Sequence, residues 1–159
     1  MKFILNKKNK LSGNRATVYT VELEDGTDLF NQFLNENQEN YESDLKNILQ
    51  RIRSMATKTG AQEHFFKMKE GKPGDQVCAL YDTPEKNLRL YCIRMGNTVI
   101  ILSGGGPKTT RTLQQDPKLK KENYLLRDVS DAILQKMTSG ELRFSDDEME
   151  LKGAIINHD

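Results

Sequence analysis

Three cations in the middle of the sequence, Arg89, Lys108 and Arg111, are the residues best suited to chemistry on a phosphate. The planar guanidinium group of arginine can hold two phosphate oxygens at once. Lysine can take part in proton transfer, because crowding by other cations or partial desolvation shifts its pKa. Such cations can assist the attack of an RNA 2′-hydroxyl on the adjacent phosphate by orienting the phosphate and stabilising negative charge. We therefore expect a catalytic site that needs no metal ion and no other cofactor.

A run of three glycines precedes two of these cations, in the stretch SGGGPKTTR. Glycine lets a backbone take positive φ and approach a ligand closely, so amide groups here could lie beside a phosphate. The stretch lacks the glycine spacing of a Walker phosphate loop. A simpler alternative is a glycine-rich bend by which the chain leaves a crowded sheet, with the charges facing solvent. The residues expected to bind substrate here are Gly104, Gly105, Gly106, Thr109 and Thr110.

Two lysines that follow a pair of phenylalanines are further candidates for the same site. Lys67 and Lys69 are expected to bind backbone phosphates, as lysines do in RNA-binding proteins. Phe65 and Phe66 are expected to be buried rather than to stack on bases. His64 could carry a proton by its ordinary pKa, but a lone histidine before an apolar pair is more often structural.

Strand alternation separates the arginines near the centre of the chain. In LRLYCIRM, Arg89 and Tyr91 fall on one face of the strand and Arg94 falls on the other. The two arginines therefore cannot both line one cleft. Where Arg89 takes the site position, Tyr91 is expected to contact substrate beside it and Arg94 to lie outside the site. The alternative for Arg89 is an ordinary solvent-exposed strand arginine.

Charge is segregated along the chain although the net charge is only +1. Residues 22–46 contain eight acidic side chains and one basic one, and residues 86–127 contain nine basic side chains and two acidic ones. This pattern favours a positive face that binds a polyanion. The acidic segment 22–44 and the C-terminal tail are expected to cover part of that face in the free protein. The alternative is a solvated surface on which the charges interleave in space.

The remaining composition favours a single domain of 159 residues inside the cell. No run reaches the roughly 18 apolar residues of a membrane span, and the N-terminus lacks the pattern of a signal peptide. We therefore expect a cytoplasmic protein with no membrane partner. Cys78 and Cys92 lie in apolar runs and are expected to be buried thiols. The sequence has only two histidines, so we expect no zinc site.

The elements that must position these residues can be read from periodicity and turn residues. Two N-terminal strands precede two helices, three antiparallel strands follow, and a long helix opens at Asp116-Pro117 and ends at Gly140. The Gly96-Asn97 pair is expected to turn the second of the three strands into the third. Residues 141–159 form a polar C-terminal tail. The sequence thus predicts an α+β domain with helices packed on a small antiparallel sheet.

Two segments resemble a known family. The run VCALYDTPEKNLRLYCIRMGNTVIILSGGGPK, preceded by FFKMKEGK, resembles the sheet of the RelE/HigB-type toxins of bacterial type II toxin–antitoxin systems. In those toxins a lysine-containing segment leads to a strand, then to an arginine-containing strand, and then to an apolar strand that ends at a basic loop. The likeness covers about residues 40–138, which leaves an N-terminal strand pair and a C-terminal extension outside it.

The resemblance implies both a fold and an activity. It implies helices on one face of the sheet, a concave basic opposite face, and Arg89 in the site. It also implies an endoribonuclease that cleaves mRNA, commonly on the ribosome, and a cognate antitoxin, expected to be a small helix-turn-helix protein. The family often places a tyrosine or histidine near its last elements, where this chain has Tyr124 and His158.

Two other functions compete with an mRNA-cleaving toxin. One is a toxin of the same fold without nuclease activity, similar to the ParE-type proteins that poison DNA gyrase. The other is a domain that only binds nucleic acid or a protein partner, which the low net charge favours. A neighbouring gene for a small helix-turn-helix protein would favour the toxin over the binding domain.

Overall fold

The computed structural model describes residues 1–158, which form three α-helices and eight strands. The helices are α1 (Leu29–Asn37), α2 (Glu42–Ser54) and α3 (Pro117–Ser139). A π-helical turn, Met55–Thr59, extends α2, and two short 3₁₀ turns cover Glu63–Phe65 and Leu113–Gln115. The strands are β1 (Phe3–Lys7), β2 (Thr17–Leu23), β3 (Val77–Tyr81), β4 (Leu88–Met95), β5 (Val99–Pro107), β6 (Leu142–Phe144), β7 (Leu151–Gly153) and β8 (Ile156–Asn157).

Six of the strands form one mixed sheet in the order β3-β4-β5-β2-β1-β8. The neighbouring pairs β3–β4, β4–β5 and β1–β2 are antiparallel, which confirms the predicted three-strand unit and the N-terminal strand pair. The expectation of a wholly antiparallel sheet is wrong, because β2 and β5 pair in parallel. The helical connection between β2 and β3 makes this possible, since a crossover returns the chain in the same direction.

Helices cover both faces of the sheet, so the expectation of helices on one face only is also wrong. The core on one side includes α1 and α2 residues with Leu90 and Cys92 of β4. The core on the other side includes α3 residues with Tyr91 and Ile93 of β4. Alternating residues of β4 are thus apolar on both faces, as in strands that lie between two helical layers. The open basic face implied by the resemblance is therefore occupied by α3 and by the β6–β7 hairpin.

The helix boundaries follow local capping rules. The Asp28 carboxylate accepts from the Asn31 backbone N–H at 3.0 Å at the start of α1. The Asp116 carboxylate accepts from the Leu119 N–H at 3.1 Å, with proline at the first position of α3. Gly140 ends α3 in the left-handed conformation. These features confirm the predicted start and end of α3 and explain where α1 begins. Tyr41 occupies the N-cap position of α2 and makes no capping hydrogen bond with its side chain.

The polar segment after Gly140 folds back onto the sheet. Leu142 and Leu151 are buried in the core beneath α3, and β8 pairs with the edge strand β1. An acidic residue of this segment, Glu150, forms ion pairs with Lys7 and Lys152. The described part of the expected tail, residues 141–158, therefore runs from the β4–β5 turn, where the Glu148 carbonyl accepts from Thr98 at 2.5 Å, to the outer edge of β1. Within residues 1–158, no helix has the length and apolar character needed to cross a membrane.

Candidate phosphate-binding site

A cavity of about 210 Å³ lies where the start of β4, the end of β5, the segment around residue 67 and the start of α3 meet. We call it the basic cavity, because four of the cations singled out in the sequence line it. Its lining residues are Lys67, Glu70, Arg89, Tyr91, Lys108, Thr110, Arg111, Thr112, Leu113 and Leu119. The structure thus brings together residues that are up to about 50 positions apart in the chain.

The backbone explains why these residues meet. Lys67 and Ala79 exchange backbone hydrogen bonds of 2.8 and 2.9 Å, which places the lysine segment against the outer edge of β3. Arg89 and Tyr91 are alternate residues of β4, so their side chains lie on the same face of the strand, as predicted. The Lys108 N–H donates to the Asn87 carbonyl at 2.8 Å, so the chain after β5 stays beside the start of β4.

Arg89 is held in place by its surroundings. Its side chain is only 8% exposed, so the alternative of a solvent-exposed strand arginine is wrong. The Nη1 atom donates to the carbonyls of Lys86 and Leu88, both at 3.1 Å, and the guanidinium lies 5.2 Å from the centre of the Tyr81 ring. No acceptor within residues 1–158 bonds to Nε or Nη2. A fixed arginine with two donors to spare is suited to bind an anion.

Tyr81 forms a platform for three cations at once. Besides Arg89, the guanidinium of Arg51 and the ammonium of Lys86 lie 5.4 and 5.1 Å from its ring centre. Arg51 also donates to the Tyr81 carbonyl at 2.6 Å. The electron-rich ring face attracts each cation and limits their mutual repulsion. Tyr81 is therefore a positioning residue for Arg89.

Tyr91 forms part of the inner wall of the basic cavity. Its side chain is 3% exposed, and burial raises its pKa to about 12. The Glu70 carboxylate and, more weakly, the Asp116 carboxylate act in the same direction, against the opposing effects of Arg89 and of a hydrogen bond with Asn123. At neutral pH the Tyr91 hydroxyl is therefore protonated, and it can act as a hydrogen-bond donor rather than as a base.

Lys108 and Arg111 lie on the exposed rim, with no ion pair to any residue in the range 1–158. Thr110 lines the cavity too, and its hydroxyl donates to the Thr112 carbonyl at 2.8 Å. Thr109 is exposed and does not line the cavity. Lys69 also lies outside it: the residue has a φ of 63° and lines a neighbouring depression around Gly71–Gln76.

The glycine run is part of β5 and does not form a binding loop, which corrects the prediction for Gly104, Gly105 and Gly106. All three are buried, and none has positive φ. A Cβ on Gly105 would lie well under 3.0 Å from the Arg89 carbonyl oxygen, and one on Gly104 would lie as close to the Glu122 carboxylate. Gly104 and Gly105 are required because α3 and β4, respectively, approach β5 closely beside an irregularity in the β4–β5 register.

Glu70 is the site residue that the sequence analysis missed. Its carboxylate lies 3.7 Å from the Lys67 ammonium, and it is the one acidic side chain on the wall of the basic cavity. The Glu70 carbonyl accepts from Asn123 at 2.9 Å and from Arg127 at 3.2 Å, which ties its segment to α3. The spacing of three residues between Lys67 and Glu70 could have indicated in advance that the two side chains form an ion pair.

An exposed aromatic residue stands beside the cavity on α3. Tyr124 is 40% exposed, and its hydroxyl accepts from Gln114 at 3.0 Å. That hydrogen bond lowers the Tyr124 pKa, and the nearby Arg127 and Lys120 act in the same direction. His64 is exposed beside the Phe65 ring, and His158 follows β8, so neither histidine lines the basic cavity.

The other predicted features have mixed outcomes. Phe66 is buried, as expected, whereas Phe65 is only half-buried. Cys78 and Cys92 are buried free thiols on paired positions of β3 and β4, and burial raises the pKa of both. Arg94 lies outside the cavity and donates to the Ala61 carbonyl at 2.6 Å.

The comparisons with known proteins identify no relative. Scans against protein-family models, curated proteins and solved structures each gave no match. The fold is therefore defined by its own architecture, an α+β domain with a mixed sheet between helical layers.

Proposed function

We propose that the protein is an RNA-binding endoribonuclease that holds a phosphate in the basic cavity. The observation that carries the proposal is the convergence of Lys67, Arg89, Lys108 and Arg111 on one cavity of about 210 Å³. Cations of this kind supply most of the affinity of a protein for the nucleic acid backbone. Arg89 at the wall and Arg111 at the rim provide donors for a single phosphate from two directions.

In this proposal the reaction is attack of the RNA 2′-hydroxyl on the neighbouring phosphorus. The P–O bond to the 5′ oxygen of the next nucleotide breaks as the new P–O bond forms. Arg89 and Arg111 stabilise the extra negative charge on the phosphate oxygens. Glu70 accepts the 2′-hydroxyl proton, and Lys67, beside it, returns a proton to the leaving oxygen.

The proposed biological setting is that of a RelE/HigB-type toxin. Support comes from the resemblance of the β3–β5 region and from the order of the lysine segment, the arginine strand and the basic loop. The proposed substrate is mRNA in the cytoplasm, on or off the ribosome. The proposed partner is a small helix-turn-helix antitoxin whose acidic groups cover the rim cations.

The test is cleavage of a labelled RNA by the purified protein and by three variants. We expect Arg111→Ala to lower the rate roughly 10-fold to 100-fold, because a charge-assisted hydrogen bond contributes about 1.5–3 kcal/mol. Glu70→Gln should lower the rate while RNA binding is retained. Arg143→Ala, an exposed arginine on β6 beyond the far end of α3, is the matched control and should match the native rate.

Two outcomes would replace the proposal with its competitors. RNA binding that depends on Arg111 without any cleavage would identify a binding domain. Inhibition of DNA gyrase by the native protein, with no RNA cleavage, would identify a toxin similar to the ParE type. Equal losses in the Arg111→Ala and Arg143→Ala variants would show that the basic cavity is not the site.

A further inference from the structure

Three carboxylates meet at the turn between β3 and β4, and none of them lines the basic cavity. We call Asp44, Asp82 and Glu85 the acidic cluster. Asp44 lies in the first turn of α2, Asp82 directly follows β3, and Glu85 lies in the turn before β4. One carboxylate oxygen from each lies within 4.8 Å of the other two. None of the three forms an ion pair with any residue of the range 1–158.

Asp82 is the unusual member of the cluster, because it is a buried carboxylate with an oxygen to spare. The residue is 1% exposed. Its Oδ1 atom accepts from the Leu88 N–H at 2.8 Å, but its buried Oδ2 atom has no hydrogen-bond partner. A buried carboxylate oxygen without a partner is strongly unfavourable unless a cation or a donor satisfies it.

The surrounding turn is built to hold the carboxylates in place. The Thr83 N–H donates to the Asn47 side chain at 2.8 Å, which ties the turn to α2. The Asn87 side chain donates to Asp44 Oδ1 at 3.3 Å. The nearest lysine in sequence, Lys86, places its ammonium over the Tyr81 ring and forms no ion pair within the described chain. No cation of residues 1–158 neutralises the three acidic groups. The Asp44 and Asp82 carboxyls lie within hydrogen-bonding reach of each other, so a proton between them is what relieves their repulsion when no ion is bound.

We propose that the acidic cluster binds a divalent cation, and that the cation is Ca²⁺. Calcium takes oxygen ligands at about 2.3–2.6 Å, so two ligands on opposite sides of the ion are about 4.6–5.2 Å apart. The three carboxylate oxygens, all within 4.8 Å of one another, are close enough to share one such ion. Mg²⁺ requires shorter and near-octahedral coordination, which three carboxylates on three separate segments are less suited to provide. Water completes the calcium shell on the side of the exposed Glu85.

The site would link the sheet to α2 and stabilise the turn that leads into β4. That turn contains the Lys86 carbonyl, which accepts a hydrogen bond from Arg89. The cation is thus a structural ion near the basic cavity and takes no part in the proposed reaction. The inference is independent of the proposed function, since it rests on the acidic cluster alone.

The experiment uses Tb³⁺ as a luminescent substitute for Ca²⁺. The chain has no tryptophan, so the tyrosine next to Asp82, Tyr81, is the expected sensitiser. We expect saturable Tb³⁺ luminescence on excitation of tyrosine, displacement of Tb³⁺ by Ca²⁺ at lower concentration than by Mg²⁺, and a higher melting temperature with Ca²⁺. Glu85→Gln and Asp44→Asn should each weaken Ca²⁺ binding at least 10-fold, because each removes one of three charged ligands.

The control is Asp146→Asn, which changes an exposed carboxylate in the acidic stretch after β6. It should leave Tb³⁺ and Ca²⁺ binding unchanged. Glu85 is exposed, so its variant should fold even where a change at Asp82 would not. Absence of saturable binding, or equal losses in Glu85→Gln and Asp146→Asn, would overturn the proposal. Stronger competition by Mg²⁺ than by Ca²⁺ would overturn the assignment to calcium.

Discussion

Substituting alanine for each glycine of the run in β5 should give three different losses of stability. At Gly105 the new methyl group would collide with the Arg89 carbonyl oxygen, which belongs to the backbone of the paired strand. At Gly104 it would collide with the Glu122 side chain, which has some freedom to move. At Gly106 it would meet the Lys118 side chain at 3.4 Å, an ordinary contact.

The structure sets the expected size of each loss. Overpacking of a core typically costs about 1–3 kcal/mol and occasionally more. Because the β4 backbone can move only by breaking strand pairing, Gly105→Ala should lower the free energy of unfolding by at least about 3 kcal/mol. Gly104→Ala should lower it by about 1–2 kcal/mol, and Gly106→Ala should change it by less than about 0.5 kcal/mol.

Urea denaturation followed by circular dichroism measures all three variants. With a slope of about 2 kcal/mol per M, Gly105→Ala should lower the urea midpoint by about 1.5 M. Similar midpoints for Gly105→Ala and Gly106→Ala would refute the argument that close strand approach requires the glycines. A Gly106→Ala variant that folds normally but loses RNA binding would instead restore the interpretation of the run as a phosphate-binding loop.

Three further predictions concern titration and packing. An ultraviolet titration of the native protein should show a tyrosine that ionises near pH 12, and this tyrosine should be missing from the Tyr91→Phe variant. Ionisation of Tyr91 near pH 10 would contradict its burial. The charge of Asp28 should stabilise the fold. Burial alone would raise the pKa of its carboxyl, but hydrogen bonds from Thr20, the Asn31 N–H and Lys8 outweigh this effect and lower the pKa below 3.8. Its contribution is therefore present above pH 3.8 and lost as the pH falls through the lower folded value, so the stability difference from Asp28→Asn should shrink in acid and should not grow. Leu151→Ala should cost about 2–4 kcal/mol in urea denaturation, whereas a loss below about 0.5 kcal/mol would show that the β6–β7 hairpin is not part of the core.

Local rules explain what the sequence could predict. The caps of α1 and α3 at Asp28 and Asp116 depend on a side chain and an amide three residues away, so they are visible in a short window. The Gly96 turn and the β3–β5 unit depend on neighbouring runs of apolar residues. The co-location of Arg89 with Lys108 and Arg111 in one cavity followed from the same hairpin.

Features that depend on distant segments could not be predicted in this way. The second helical layer depends on α3, which follows the sheet strands in the sequence and reaches the sheet only in the folded structure. The buried state of Arg89 depends on Tyr81, and the role of Gly105 depends on how closely β4 approaches. The unpartnered Asp82 oxygen is visible only when α2 is set against the β3–β4 turn.

The parallel pairing of β2 with β5 has a consequence for how the chain folds during synthesis. Thr17 pairs with Val99, and Thr20 pairs with Leu102, so β2 cannot join the sheet until β5 has left the ribosome. Closing a loop of roughly 80 residues costs about 4 kcal/mol of chain entropy, and non-local pairing of this kind slows folding. The N-terminal hairpin therefore emerges first but docks late, with the unpaired edge of β2 exposed in the meantime. In the nascent chain, the β3–β5 meander is the first part of the sheet that can fold from local contacts alone.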